Sequence, residues 1–183
     1  HRPRRRHRGA GGGDAPPAVM KPAGALPQPA AFIATWGGCG LLPWAPGSWG
    51  SLAALPFAWV IVAAFGTGGL FIAALALFVL GCWAAAATAR ALGQGDPGAI
   101  VVDEVVGQWL TLALGLSRAT APLAPLAYVA GFLLFRVFDV AKPWPVRWAD
   151  REIGGGLGIM LDDVLAALYA GALLLIGRLI LGY

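Results

Sequence analysis

The polar positions of this 183-residue chain fall into a few short clusters, separated by apolar runs long enough to enter a membrane. The first run covers residues 51–65, and "GTGG" at 66–69 breaks it. The second, 70–89, has about the 20 residues a helix needs to span a bilayer. Polar residues 90–98, "RALGQGDPG", follow it. The third run, 99–117, carries Asp103 and Glu104 near its start and is short beyond them, which suits a tilted or re-entrant helix. The fourth run is 121–138, residues 139–161 form a polar loop, and the fifth run is 164–181. The pattern predicts an all-α integral membrane bundle of about five membrane-embedded helices, one of them short or re-entrant.

Two segments precede the runs. Residues 30–50 mix glycine and proline with apolar residues and with Trp36, Trp44 and Trp49, as expected of an irregular segment at the membrane interface, where Trp is enriched. Residues 1–29 are rich in Arg, Gly, Pro and Ala without periodicity and read as a disordered basic tail. No apolar stretch follows the arginines directly, which argues against a signal peptide. The expected division is therefore a tail, 1–29, and a membrane-embedded domain, 30–183.

Composition agrees. The chain is 58% hydrophobic and 12% charged, against about 25% charged in soluble domains. The net charge of +4 says little about the core, because five of the thirteen basic residues lie in "HRPRRRHR" at the start. Placing that tail inside sends odd runs outward and even runs back. Arg90, Lys142, Arg147 and Arg151 then fall inside and Arg118 outside, so the positive-inside rule is obeyed. The tail points to a membrane surface rather than to nucleic acid.

Sidedness gathers the chemistry. Apart from Asp14 in the tail, every acid falls at one membrane face: Asp96, Asp103, Glu104, Asp139, Asp150, Glu152, Asp162 and Asp163. Some have ordinary structural readings. Asp162 can cap the fifth helix at its positive end. Asp139 closes the fourth run, where the helix dipole disfavours an acid, so it needs a counter-charge; Arg136 and Lys142 stand three residues to either side. Asp103 and Glu104 sit in an apolar run, where an acid costs about 2.5–3.5 kcal/mol on insertion scales and marks function by default. Taken together, Asp103, Glu104, Asp139, Asp162 and Asp163 make an oxygen-only ligand set, suited to a hard cation such as Mg2+. Basic neighbours suit a phosphate, and that combination is a layout for phosphoryl chemistry. The stretch "APGSWGSL" at 45–52, with Ser48 and Ser51, can cradle an anion at the start of the first helix. A cation-coupled transporter also gathers acids, but more often near the bilayer midplane.

Several chemistries are excluded. Both histidines, His1 and His7, lie in the tail, which removes histidine metal sites, Ser-His-Asp triads and phosphohistidine intermediates from the core. Cys39 and Cys82 form no C-x-x-C pair and neither has the C-x5-R spacing of cysteine phosphatases. The D-x-D of aspartyl-phosphate enzymes is absent, and "DVAKPWPVRWAD" lacks the D-G and A-R of CDP-alcohol phosphatidyltransferases.

Four blocks, "WGGCGLLPWAPGSWGSLAALP", "GAIVVDEVVGQWL", "FRVFDVAKPWPVRWADR" and "GGGLGIMLDDVLAA", resemble the phosphatidylglycerophosphatase A family in that family's order. The similarity spans about residues 32–178 and omits the tail. The resemblance implies a multi-pass enzyme of the bacterial inner membrane, active site toward the cytoplasm, that hydrolyses phosphatidylglycerophosphate to phosphatidylglycerol and phosphate with Mg2+. It implies metal ligands at Asp103, Glu104, Asp139, Asp162 and Asp163, with catalytic roles for Asp103, Glu104, Asp139 and Asp163. The phosphate-side residues are then Arg136 and Lys142, with Arg147 and Arg151; Ser48 and Ser51 are added by the glycine-rich stretch itself, not by the resemblance. The expected partners are a phospholipid drawn from the bilayer and the membrane itself. A lipid phosphotransferase with another substrate, or a cation-coupled transporter, stays open as the alternative.

Overall fold

A computed structural model describes residues 28–117 and 125–181. All regular structure among these residues is helical: α1 (Gln28–Ala34), a 3-10 turn (Cys39–Leu41), α2 (Pro46–Leu92), α3 (Val102–Gly115), α4 (Pro125–Ala141), α5 (Val146–Glu152) and α6 (Gly155–Leu181). The expected basic tail lies outside the described residues, except that Gln28 and Pro29 already belong to α1. Arg118 and the first residues of the fourth apolar run also lie outside them.

Helix α2 unites the first two predicted runs, yet it is not one rod. Gly66 has φ 68° and ψ −176°, outside helical space, at the "GTGG" break. A conformation with φ > 0 at this point suits glycine. Packing shows that the chain reverses there. A Cβ on Gly50 would touch Val101, and one on Gly81 would touch Val102. On a straight helix those glycines would lie about 45 Å apart. They meet adjacent residues, so residues 46–65 and 67–92 are the two limbs of a hairpin.

Helix α3 occupies the centre. Of its 14 residues only Asp103, Glu104 and Leu114 are not buried. At 1.5 Å per residue it is about 21 Å long, shorter than a bilayer core. The short third element expected from the pattern is present, enclosed by α2, α4 and α6. Trp109 fixes it to the first limb of α2 by donating from Nε1 to the Ala54 carbonyl at 3.0 Å. Trp36 packs edge-on against the same indole, centroids 5.7 Å apart. Small residues let α6 approach α3 closely: a Cβ on Gly171 would press on Leu114 and the Thr111 carbonyl.

Helices α2 and α6 are long and apolar enough to cross a membrane. Large apolar side chains such as Trp59, Ile72, Val79, Leu133 and Ile180 point outward, where a soluble protein would place polar ones. This is a membrane protein with a helical core. At one end of it Arg178 is buried and donates to the Gly115 carbonyl at 2.7 Å, meeting the negative terminus of α3.

Helix α6 starts about two and a half turns earlier than the fifth apolar run. Gly155, with φ 72°, releases the chain into the helix. Asp162 and Asp163 are therefore interior positions, which removes the helix-capping role expected for Asp162.

Candidate active site

The site grows from the first turn of α3. Asp103 and Glu104 lie there, where negative side chains suit the helix dipole. One turn on, Gly107 lets α6 cross: a Cβ on it would sit 3.1 Å from the Asp163 carbonyl, and would also run into the Phe135 ring. That crossing brings the Asp163 side chain beside the α3 pair. Oxygens of Asp103, Glu104 and Asp163 all lie within 4.8 Å of one another.

These three carboxylates keep poor company. Asp103 Oδ1, Glu104 Oε2 and Asp163 Oδ2 are buried and have no hydrogen-bond partner. Asp163 is only 3% exposed. Burying like charges without partners is strongly unfavourable. A bound cation would supply the missing partner. An oxygen-only donor set without His or Cys fits a hard divalent ion.

The other two acids predicted as ligands are compensated. Arg136 approaches Asp139 at 2.5 Å, one turn apart on α4, and lies 3.8 Å from Glu104 Oε1. Lys142 donates to Asp162 at 2.8 Å and also to Asp150. Burial alone would push the Lys142 ammonium down, but the hydrogen bonds and charges of Asp150 and Asp162 outweigh it and hold the group above the ordinary lysine value. Its backbone adopts φ 43°, a left-handed conformation that costs of order 1 kcal/mol and persists only where surroundings enforce it.

Beside the trio opens a cavity of about 290 Å³, lined by Asp96, Asp103, Asp150, Asp162, Arg151 and the glycine turn at 154–158. It joins both polar loops of the sequence. The Asp96 carboxyl is raised by partial burial; Lys142 opposes this and Asp150 adds to it.

The glycine-rich entry to α2 also reaches the site, through a residue the sequence reading did not single out. A Cβ on Gly47 would collide with Glu104 Oε1 and lie 3.3 Å from Arg136 Nη1. Gly47 is what allows the start of α2 to close over this pair. Ser48 occupies the same first turn, whereas the Ser51 hydroxyl donates back to the Gly47 carbonyl at 2.9 Å. Gln108 is a second unanticipated residue. It is fully buried one turn below Glu104, with neither amide atom partnered. A lone amide in "VVGQWLTLALG" was the available signal. Arg147 stands apart: it lines a separate depression with Lys142, Trp144, Trp148 and Arg151.

The sequence model of the family described as Phosphatidylglycerophosphatase A matches residues 32–178. The chain belongs to the phosphatidylglycerophosphatase A family. The match encloses every site residue from Gly47 to Asp163. Among relatives, the Phosphatidylglycerophosphatase A of Escherichia coli (strain K12) is 38% identical over 155 residues, 84% of this chain and 86% of that protein. Its counterpart from Haemophilus influenzae is 40% identical over 145 residues, 79% of this chain and 86% of that protein. A Bacteroides thetaiotaomicron protein named Putative phosphatidylinositol-3-phosphatase is 36% identical over 155 residues, 82% and 94% of the two chains. No solved structure matches. With the phosphatidylglycerophosphatase A family comes the enzymatic class: this chain is a phosphatase.

Proposed function

We propose that this protein hydrolyses phosphatidylglycerophosphate to phosphatidylglycerol and inorganic phosphate, with Mg2+, at the cytoplasmic face of a bacterial inner membrane. Five membrane-embedded segments carry it: the two limbs of α2, then α3, α4 and α6. The observation that carries the reading is a trio of carboxylates, each with one buried oxygen lacking a hydrogen-bond partner, set near cations already held in place by other acids.

In this mechanism Asp103, Glu104 and Asp163 would hold the ion. When bound, Mg2+ supplies Lewis-acid polarisation of the phosphate and an acidified water. Glu104 or Asp163 accepts a proton from the attacking water. Arg136 lies beside Glu104 of the trio, Lys142 is paired with Asp150 and Asp162 of the adjoining cavity, and both would offset charge that develops on the phosphoryl oxygens. Asp139 and Asp162, rather than ligating directly, fix those two cations in position. Positioned charges lose little freedom in the transition state. The acyl chains stay in the bilayer along the exposed apolar flanks, so substrate enters laterally and diffuses away as a lipid product.

The deciding experiment is phosphate release from phosphatidylglycerophosphate by the purified full chain, with and without Mg2+. Metal-dependent release supports the reading. Ion flux without phosphate release would replace it with a transporter, and transfer of the phosphate to an acceptor other than water would replace it with a phosphotransferase. The Bacteroides relative motivates one further arm, phosphatidylinositol 3-phosphate. Faster release from that lipid would keep the chemistry and change the substrate.

A further inference from the structure

Arg147 and Arg151 lie one turn apart on the exposed face of α5, whose Val146 and Ala149 face inward. Among the described residues neither arginine has an ion-pair partner. With Trp144 and Trp148 they border a depression of about 410 Å³. It lies next to the acidic cavity. Its wall is shared with the acidic cavity: Arg151 lines both, and Lys142 borders this depression while donating to Asp162 and Asp150 on the other side. The two pockets differ in character. One is acidic and glycine-lined. The other sets Lys142, Arg147 and Arg151 against one acid, Glu152, and is aromatic, with Trp144 79% exposed and Trp148 half exposed, as suits the lipid-water interface.

We infer that the two pockets read two different phosphates of one lipid, and that the Arg147–Trp148 pocket is a specificity site for the phosphodiester. This rests on the reaction proposed above. Phosphatidylglycerophosphate carries a phosphodiester next to its diacylglycerol and a phosphomonoester at the far end of a three-carbon glycerol. The diester is tied to the acyl chains, so it belongs in the pocket with the aromatic, membrane-facing rim. The monoester belongs beside the carboxylate trio. A guanidinium fork suits a phosphate bidentately, and Trp indoles cover the glycerol and the upper acyl carbons. Arg151, at the shared wall, spans both groups. Phosphatidic acid carries its one phosphate directly on diacylglycerol, so to be hydrolysed it must draw its acyl end up to the acidic cavity, and that productive complex leaves Arg147 without a counter-charge. The enzyme thereby selects phospholipids bearing both a diester and a terminal monoester.

The test compares kcat/KM for phosphatidylglycerophosphate and for phosphatidic acid of matched acyl chains, in mixed micelles, with the purified full chain. Wild type should favour the two-phosphate lipid. In Arg147→Gln that preference should shrink about tenfold, mainly through KM, in line with loss of one charge-assisted contact. Arg147→Lys should recover part of it. Equal losses on both lipids, or no loss on either, would overturn the assignment, because a merely structural arginine affects both substrates alike. The phosphatidic acid rate in the variant reports folding in the same assay. Should the wild type release no phosphate from phosphatidylglycerophosphate at all, the proposed reaction fails first and this inference with it.

Discussion

Buried charge is handled in opposite ways at the two ends of α3. At its C-terminal end Arg178 is buried and donates to the Gly115 carbonyl, so a cation meets the negative end of a helix. At its N-terminal end three carboxylates crowd within 4.8 Å and leave an oxygen each without a partner. Both placements cost desolvation. The first is repaid by a direct hydrogen bond, the second only in part, by Arg136 beside Glu104. The contrast separates a charge that holds the fold from charges that await a ligand, and it can be broken by substitution at either end.

The largest effect should follow Asp103→Asn. It removes one ligand atom and one negative charge from the trio, and phosphate release should fall about a thousandfold. The protein should still accumulate in the membrane. Its thermal midpoint in chelator should match or exceed that of wild type, since repulsion within the trio is relieved. Near-normal turnover would take Asp103 out of the site. Metal addition probes the same charges without mutation. At a hundred times its Kd, Mg2+ should stabilise by about 2.7 kcal/mol and raise the wild-type midpoint by about 5 °C or more. Asp103→Asn should lose most of that shift, and an equal shift in both proteins would mean that the ion binds elsewhere.

Much of this was readable from residue order. Runs of apolar residues marked both limbs of α2, α3, α4 and most of α6, but not α1 or α5, which lie in segments read as irregular and as a polar loop, and the "GTGG" break marked the reversal that Gly66 makes. Sidedness brought the acids to one face. The division of labour among them was not readable. Asp162 and Asp163 are neighbours in sequence, yet about 100° of helix rotation separates them, so one faces Lys142 and the other the trio. Where α6 begins decides this, and a glycine-rich loop conceals the boundary. Arg147 looked like Arg151 in a one-dimensional list of cations; the fold sends Arg147 only to the aromatic depression and Arg151 to both pockets. Gly47 gave no chemical signal, because its contribution is a missing methyl group.

Gly47→Ala should therefore act next most strongly. The added methyl meets Glu104 Oε1 and crowds Arg136, so both must shift. Misplacement of a catalytic group by about 1 Å can cost a hundredfold, and a loss of roughly 10- to 100-fold in kcat with little change in KM is expected. A variant with unchanged kcat would show that the start of α2 is not part of the site.

Lys142→Met should lower stability by about 1–2 kcal/mol at neutral pH, after discounting for its partial exposure, because it leaves Asp150 and Asp162 facing each other. The pH dependence has a definite sign. The folded-state value of Lys142 is raised above the ordinary 10.5, so its contribution is fully present below that pH and lost as pH rises through the higher folded value. The gap in thermal midpoint between wild type and variant should stay constant from pH 7 to about 10 and close only beyond. A gap that already narrows between pH 7 and 9 would contradict the pairing.

Arg178→Met sits at the other end of the comparison and should change activity least. The substitution keeps the apolar stem and removes the guanidinium that meets the C-terminus of α3. A hydrogen bond to a charged group contributes about 1.5–3 kcal/mol, so a stability loss of about 2 kcal/mol is expected, seen as a lower thermal midpoint in detergent. Turnover per folded molecule should be unchanged, and so should the Mg2+-induced shift, because the middle of α3 is held independently by the Trp109–Ala54 hydrogen bond and the Gly107 crossing. If kcat fell as steeply as in Gly47→Ala, the two ends of α3 would be mechanically coupled, and the separation of a structural end from a chemical one would no longer stand.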